Sequence, residues 1–442
     1  MAGQKTAGQR MAVVGERRSY SGDICTIRFI GSIPDWSEPA LGVEWDDPAR
    51  GKHSGELHGV SYFECRIAGS GSFVKVSREP DRSQSLDEAL CDRYVSRHEI
   101  SEPHISRSKT LQTVGAEKHL LRTSHVDKLQ LVSLAGCCIS RFQLAHQLTS
   151  LARLDLSNNL FESIGDLCDI LASMNVQSLN LSGNRFVPGG KPVNSVTELD
   201  LSRTLLGREE TSQVLASFPN TTTLSLASNM LQMWPDIKVQ RLDISDNLLC
   251  SIPELDLEEL NVMGNPLVQI PVMRMHTLFI DTLPGGWADT VKLKCRDLRL
   301  GPPFGDQPVF IIGHCASLQA VNGTKITSQE RTDAEIYTLR QAASGRHELD
   351  ADRFAVLSSL YGTPAVRPFS RSILARQLRL AIEGTTFEIV NDAGVQRLII
   401  MASQRLNKPL LGLTLSFRGE HIRTGTVGDH FKGGESVELI YT

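Results

Sequence analysis

From Leu129 onward the chain repeats the pattern L-x-x-L-x-L-x-x-N, and a chain patterned this way can bury its leucines only by winding into stacked coils. Pairs of apolar residues recur as Val132/Leu134, Leu154/Leu156, Leu179/Leu181, Leu199/Leu201, Leu224/Leu226, Leu242/Ile244, Leu260/Val262 and Leu278/Ile280, at spacings of 18 to 25 residues. The members of each pair are two residues apart, so they share one face of a short strand and turn the residue between them outward. Beyond each pair stands, in turn, Cys137, Asn159, Asn184, Thr204, Asn229, Asn247, Asn265 and Leu283. Asparagine dominates that position because one amide offers both donor and acceptor to the backbone of the turn. Residues 126–345 are therefore expected to form a leucine-rich solenoid of α/β type. A capping box from Thr327 to Glu330, ahead of Ala334, Ile336, Tyr337 and Leu339, predicts a helix that closes its open end.

The flanking regions carry other patterns. In residues 10–80, Gly22, Gly31, Gly42, Gly51, Gly55, Gly59, Gly69 and Gly71 separate short runs of strand-forming residues, which predicts a small β-barrel. Leu41, Val43 and Trp45 alternate onto one face, and Phe73 and Lys75 oppose Val74 and Val76. Residues 81–125 read as a linker with one short helix, in which Ser85 and Glu88 cap the start ahead of Leu86, Ala89, Leu90 and Tyr94. Pro103 and the run Ser106-Arg-Ser-Lys-Thr110 mark its exposed part. Residues 346–370 read as a second linker. In residues 371–442, Gln377–Ile382 and Thr386–Val390 alternate as strands, Val395, Leu398, Ile399, Ala402 and Leu406 recur at helical spacing, and Leu413–Phe417 alternates again.

Composition narrows the function. A net charge of -4 provides no overall basic field, which disfavours nucleic acid and anionic membranes as partners. The start Met1-Ala2-Gly3-Gln4-Lys5-Thr6 lacks an apolar signal core, and no run reaches the ~18 apolar residues of a membrane span, so a cytoplasmic location is expected. The nine cysteines form no CxxC pair and read as reduced thiols rather than disulfides or a zinc site. Gly3 to Gly8 has the glycine spacing of a phosphate loop, but Gln9-Arg10 follows where Lys-Ser/Thr is required. His347-Glu348 lacks the second histidine of a zinc-protease helix. No catalytic residue, metal or cofactor is expected.

Gly42-Val-Glu-Trp-Asp46, Gly51-Lys-His-Ser-Gly55, Tyr62-Phe-Glu-Cys65 and Gly71-Ser-Phe-Val74 closely resemble the CAP-Gly domain, and Leu415-Ser-Phe-Arg-Gly419 resembles a strand of ubiquitin. A CAP-Gly domain, leucine-rich repeats and a ubiquitin-like domain, in that order, resemble the tubulin-specific chaperone E family. Lys109–Gly115, Lys128–Leu134 and Glu330–Glu335 are similar to that family's approach to its repeats and its cap. The resemblance implies a multidomain chain: a small all-β CAP-Gly barrel, an α/β leucine-rich-repeat solenoid, and an α+β ubiquitin-like (β-grasp) domain. It also implies a cytoplasmic, cytoskeleton-associated factor without enzymatic activity. Such a factor binds α-tubulin and acts with other tubulin-folding cofactors to assemble or dissociate the α/β-tubulin heterodimer. The ubiquitin-like domain adds the proteasome as a partner, by non-covalent recognition only, because the chain ends Leu439-Ile-Tyr-Thr442 without a diglycine; Ser416 stands where ubiquitin has an isoleucine. The alternative is a passive microtubule-associated or proteasome-linking adaptor.

CAP-Gly domains hold acidic C-terminal tails that end in an aromatic residue. Carried over, the groove comprises Gly51, Lys52, His53, Ser54, Gly55, Trp36, Phe73 and Lys75. Lys52, His53 and Lys75 would donate to carboxylates, Gly51 and Gly55 would admit a peptide to the backbone, and Phe73 would face the terminal ring. Two positions depart from the family. Ser54 replaces an aspartate, and its hydroxyl is expected to satisfy a turn amide. Ala40 replaces a tryptophan, and Trp36 is expected to supply the missing wall. On the repeats, outward positions such as Asp155, Glu198, Asp200, Asp243 and Glu259 outnumber Arg153 and Arg241, a face that would repel an acidic tail and leaves the repeats to hold a partner's folded body.

Overall fold

The computed structural model describes residues 12–95, 104–106, 109–110, 126–301, 307–364, 377–390, 393–409, 413–422, 426–431 and 436–441. The chain divides into two units, Met1–Pro364 and Ala365–Thr442.

In the first unit, strands Arg17–Tyr20, Asp23–Gly31, Ala40–Trp45 and Gly71–Lys75 form an antiparallel sheet in that order. Tyr20, Cys25, Ile27, Leu41, Val43, Trp45 and Val74 pack its core, as the alternation predicts for the central strands. Val76 lies past the last strand residue and is exposed. Asp81 closes the domain, accepting from Ser19 Oγ at 2.5 Å and from the amides of Ser21 and Gly22.

The repeats build an eleven-stranded sheet, parallel through ten strands, with each coil adding a short strand beside the one before. The inward leucines stack in register: Leu154, Leu179, Leu199, Leu224, Leu242, Leu260, Leu278 and Leu298 are successive partners. Asparagine does what its chemistry suggests. Asn184 Nδ2 donates to the carbonyls of Leu156 and Leu181, and its Oδ1 accepts the amide of Asn159 at 2.8 Å. Winding continues past the last pair read from the sequence, through Asp297–Leu300 and Ala320–Val321, before Thr324–Lys325 turns back antiparallel. These strands lie within the expected span 126–345 but are not announced by the repeat pattern, because the asparagine signature is lost at Leu283.

The start of the stretch read as a linker, 81–125, is not a free tether. Gln84–Ser85 pairs in parallel with Ile139–Arg141, and Leu86, Ala89 and Leu90 of the helix Leu86–Leu90 join the core of the coils. The Ser85–Glu88 capping box is formed in both directions. Pro103 and most of 96–125 lie outside the described residues.

At the far end, helix Ser328–Ala343 begins with the expected Thr327–Glu330 box; it buries Ala334 and Leu339 but leaves Tyr337 exposed. The second stretch read as a linker, 346–370, contains a helix at Ala351–Tyr361, capped by Asp350. Buried Glu335 ties it down, accepting from Arg353 Nη2 at 2.7 Å and from the Tyr361 hydroxyl at 2.6 Å. No helix among the described residues is long and apolar enough to cross a membrane.

The second unit is a five-stranded mixed sheet in the order Thr385–Val390, Gln377–Ile382, Ser436–Tyr441, Leu413–Phe417, Glu420–Ile422. Its central pair is parallel, and helix Val395–Arg405 presents Val395, Leu398, Ile399 and Ala402 to the core with Leu380, Phe387, Leu415 and Val437. Strand, strand, helix and strand follow one another as the periodicity predicts.

Candidate functional site

The glycine loop is held against the last strand of the N-terminal sheet by its own backbone. Lys52 N donates to Gly71 O at 2.7 Å, and Gly71 N returns a bond to His53 O at 2.7 Å. The glycines serve this closeness. A Cβ on Gly51 would stand 2.0 Å from Gly69 O, and one on Gly55, at φ +112, would stand 1.8 Å from Phe63 O. Their Cβ positions thus meet the domain's own chain, so close packing of the loop by itself calls for glycine at both places. Ser54 Oγ accepts the amide of Gly69 at 2.9 Å, the role expected of the hydroxyl.

His53 is half-buried, and its Nδ1 accepts the amide of Gly55 at 3.0 Å, which leaves the ring proton on Nε2. Burial, and then the Lys52 ammonium beside it, hold its pKa below the ordinary histidine range. At neutral pH His53 therefore offers an N–H donor without a charge.

Phe73 sits on the face opposite the barrel core. Its ring lies 5.0 Å from His53, 5.5 Å from Tyr62, 5.6 Å from Phe63 and 6.3 Å from Phe29, mostly edge-on. Phe73, Tyr62 and Phe29 are half-buried, so the cluster is an apolar floor open to solvent. Lys52 and Lys75 are exposed beside it. Lys75 Nζ lies 3.5 Å from Glu38 and 5.9 Å from the centre of the Trp36 ring, and Lys75 pairs across the sheet with Ala40. Trp36 thus lies beside the Lys75 ammonium, the residue paired with Ala40 across the sheet. Phe29, Tyr62 and Phe63 belong to this floor but were not among the residues expected there. Tyr62 and Phe63 lay within a motif already quoted; Phe29 reaches the floor across a register shift between Ile27 and Phe29.

A further relationship concerns the seam with the coils. Arg17 pairs with Asp46 inside the barrel, its Nη2 donates to the carbonyl of Asn159, and its amide reaches Glu162 Oε1 at 3.3 Å. Arg66 Nη1 donates to Leu205 O at 3.4 Å, while the amides of Arg66 and Ile67 are pinned by Glu44. The loop 66–71 therefore touches the groove through Gly69 and Gly71 and touches the coils through Arg66. On the coils, part of the acidic surplus has local work: Asp155, Asp200 and Asp243 each accept the amide two residues on, from Ser157, Ser202 and Ser245.

Residues 7–79 match the CAP-Gly domain family. The chain is 33% identical over 223 residues to the tubulin-specific chaperone E of Xenopus laevis, a match covering 48% of this chain and 42% of that protein. The chain is related to tubulin-specific chaperone E. The human protein of the same name is 31% identical over 232 residues, covering 49% of this chain and 44% of its own length, and Protein PAC2 of Saccharomyces cerevisiae is 33% identical over 237 residues, covering 49% and 46%. The matches span less than half the length of these curated relatives. The glycine loop and its aromatic floor lie within the CAP-Gly match, and the coils, which make up most of the first unit, lie outside it.

Proposed function

We propose that this protein is a tubulin-folding cofactor that binds α-tubulin and, with other tubulin cofactors, assembles or dissociates the α/β-tubulin heterodimer. The observation that carries this reading is the open aromatic floor around Phe73, rimmed by Lys52 and Lys75 and by the neutral N–H donor of His53. Such a site suits an acidic peptide that ends in an aromatic ring: the ring meets the floor, and the carboxylates meet the lysines. Gly51, Ser54 and Gly55 shape the loop, and Trp36 forms the wall at the Lys75 end.

In this reading the stacked coils are a leucine-rich-repeat solenoid that holds the folded body of α-tubulin, and residues 371–442 are a ubiquitin-like domain. The register of the leucines supports the first, and the strand order around the parallel Gln377–Ile382 and Ser436–Tyr441 pair supports the second. Tail and body contacts reinforce one another, because the first raises the local concentration for the second to about the millimolar range. Dimer separation then needs only higher affinity for free α-tubulin than for α-tubulin within the dimer; no catalytic step enters, and the protein works in the cytoplasm beside the cytoskeleton.

Incubation of the full chain and its partner cofactors with native tubulin, followed by sizing, tests the reading. A complex containing α-tubulin without β-tubulin is expected. Co-sedimentation with microtubules while the dimer population stays unchanged would replace it with the adaptor reading.

A further inference from the structure

Asp87, Cys91 and His146 bring three different ligand types to one point between the connector helix and the first coil. Their nearest ligand atoms all lie within 4.8 Å of one another. Cys91 Sγ is 3.9 Å from His146 Nδ1 and 3.9 Å from Asp87 Oδ2, and His146 Nδ1 is 2.8 Å from Asp87 Oδ1. Asp87 and Cys91 are four residues apart, where Leu86–Leu90 runs into the turn Cys91–Val95, so they share one helical face. His146 comes from a loop 55 residues further on. Spacing in the sequence could not reveal this set, which is why the cysteines had read only as structural thiols.

A thiol, an imidazole and a carboxylate also make up a nucleophilic triad, but the geometry excludes that use. A triad needs the thiol on one ring nitrogen and the carboxylate on the other. Here both approach Nδ1. Convergence on a single point is what a metal ion requires. Tetrahedral zinc with ordinary Zn–S, Zn–N and Zn–O bonds would separate such ligand atoms by about 3.4 to 3.6 Å. The Sγ–Nδ1 and Sγ–Oδ2 separations, both 3.9 Å, exceed this by about 0.3 to 0.5 Å, within reach of small side-chain rotations.

Asp87 also divides its two oxygens in a way that suits this role. Oδ1 accepts the amides of Ala145 and His146 and so fixes the loop that carries the histidine. Oδ2 faces Cys91. Part of the site is supported by its own second contacts, as metal carboxylates usually are.

We infer that Asp87, Cys91 and His146 form a binding site for zinc, with Oδ2, Sγ and Nδ1 as ligands and the fourth position on the half-exposed side taken by water. The mixed sulfur, nitrogen and oxygen set selects zinc over magnesium or calcium. On binding, the Cys91 thiol gives up its proton to solvent and forms the Zn–S bond. In the free protein His146 Nδ1 donates its proton to Asp87 Oδ1; on binding that proton leaves Nδ1 for solvent, Nε2 holds the neutral ring's one proton, and the contact to Oδ1 is exchanged for the metal. The ion would fasten the connector helix to the first coil.

The test uses the full chain, reduced and metal-free, titrated with Co²⁺ as a spectroscopic probe. One equivalent should produce a thiolate-to-cobalt charge-transfer band with the visible absorption of tetrahedral cobalt, and zinc should displace it. Cys91→Ser should abolish the charge-transfer band. His146→Gln should weaken cobalt binding at least about tenfold, while Cys250→Ser, at an exposed cysteine elsewhere, should change neither. Zinc should also raise the melting temperature of the wild type more than that of His146→Gln, which supplies a readout if Cys91→Ser folds poorly. Absence of a charge-transfer band in the wild type, or a band that survives Cys91→Ser, overturns the assignment.

Discussion

Arg17 and Asp46 form a two-pronged ion pair, Nη1 to Oδ1 at 2.8 Å and Nη2 to Oδ2 at 2.6 Å, and the same Nη2 holds the carbonyl of Asn159 in the coils at 3.2 Å. The Arg17 side chain is 1% exposed, so its charge is compensated by geometry rather than by water. Arg17→Ala strands both acceptors and should cost about 3 kcal/mol in urea unfolding of the full chain. Arg17→Lys should recover little of this, because an ammonium cannot reproduce the fork. A loss below about 1 kcal/mol would mean that water replaces the guanidinium.

Asn184 closes three buried backbone contacts at once. Asn184→Ala should lower stability by about 3 kcal/mol through unsatisfied carbonyls and amide. Asn184→Thr should be milder, since Thr204 already fills the equivalent place, with its hydroxyl donating to Leu201 O at 2.7 Å. Equal melting of the two variants would refute the hydrogen-bond account.

The glycine loop separates two kinds of glycine. Gly51 has an ordinary φ of -72, so the obstacle to a side chain there is the Gly69 carbonyl at 2.0 Å. Gly51→Ala should therefore cost about 3 kcal/mol or more. Gly59, at φ +78 with open space around it, should lose only about 1 kcal/mol on Gly59→Ala. Thermal melts of the two variants decide the order, and the reverse order would contradict the packing argument.

At the groove, Lys52→Glu should weaken an acidic, aromatic-ended peptide at least tenfold, since a charge-assisted contact contributes about 1.5 to 3 kcal/mol and the reversed charge repels. Phe73→Ala should weaken the same peptide with little change in salt dependence, because it removes apolar contact. Titration calorimetry at two salt concentrations separates these effects. Unchanged binding in both variants would remove the tail from this groove.

His314 gives the fold a dependence on acid. Its Nδ1 meets Thr290 Oγ1 at 2.8 Å and its Nε2 meets His347 Nε2 at 2.9 Å, and burial, then His347 and Arg353, push its pKa down to about 4. The folded state thus favours the neutral ring, and the contribution is complete above the unfolded value of 6.5 and lost as pH falls toward 4. Stability should drop by about 2 kcal/mol between pH 7 and pH 5 on this account. His314→Gln should flatten that slope in urea titrations.

Much of this was legible because period and chemistry coincide. The leucine pairs and the asparagines are local signals, and so are the Ser85 and Thr327 caps, each needing only neighbours in sequence. What stayed hidden depends on distant partners. Leu298 and Leu300 continue the sheet without an asparagine to announce them. Helix Ala351–Tyr361 is fixed by Glu335, and the connector helix by apolar residues of the coils. At the groove, Lys52, His53 and Phe73 follow from the motif, whereas Phe29 enters the floor through a strand irregularity that no periodicity encodes. The packing task of Gly51 and Gly55 stayed hidden for the same reason: the atoms they avoid belong to Gly69 and Phe63.

The loop 66–71 joins the groove directly to the coils by hydrogen bonds at both of its ends. In a two-site binder whose sites are strung on a loose linker, the linker decides how far apart the two epitopes can lie. Here that distance is built into folded structure, so the flexible part of the measurement passes to the ligand. Under the proposed function the protein would be a gauge for the length of its ligand's tail: a tail too short to bridge the gap would lose one contact, and one much too long would forfeit the mutual reinforcement of the two.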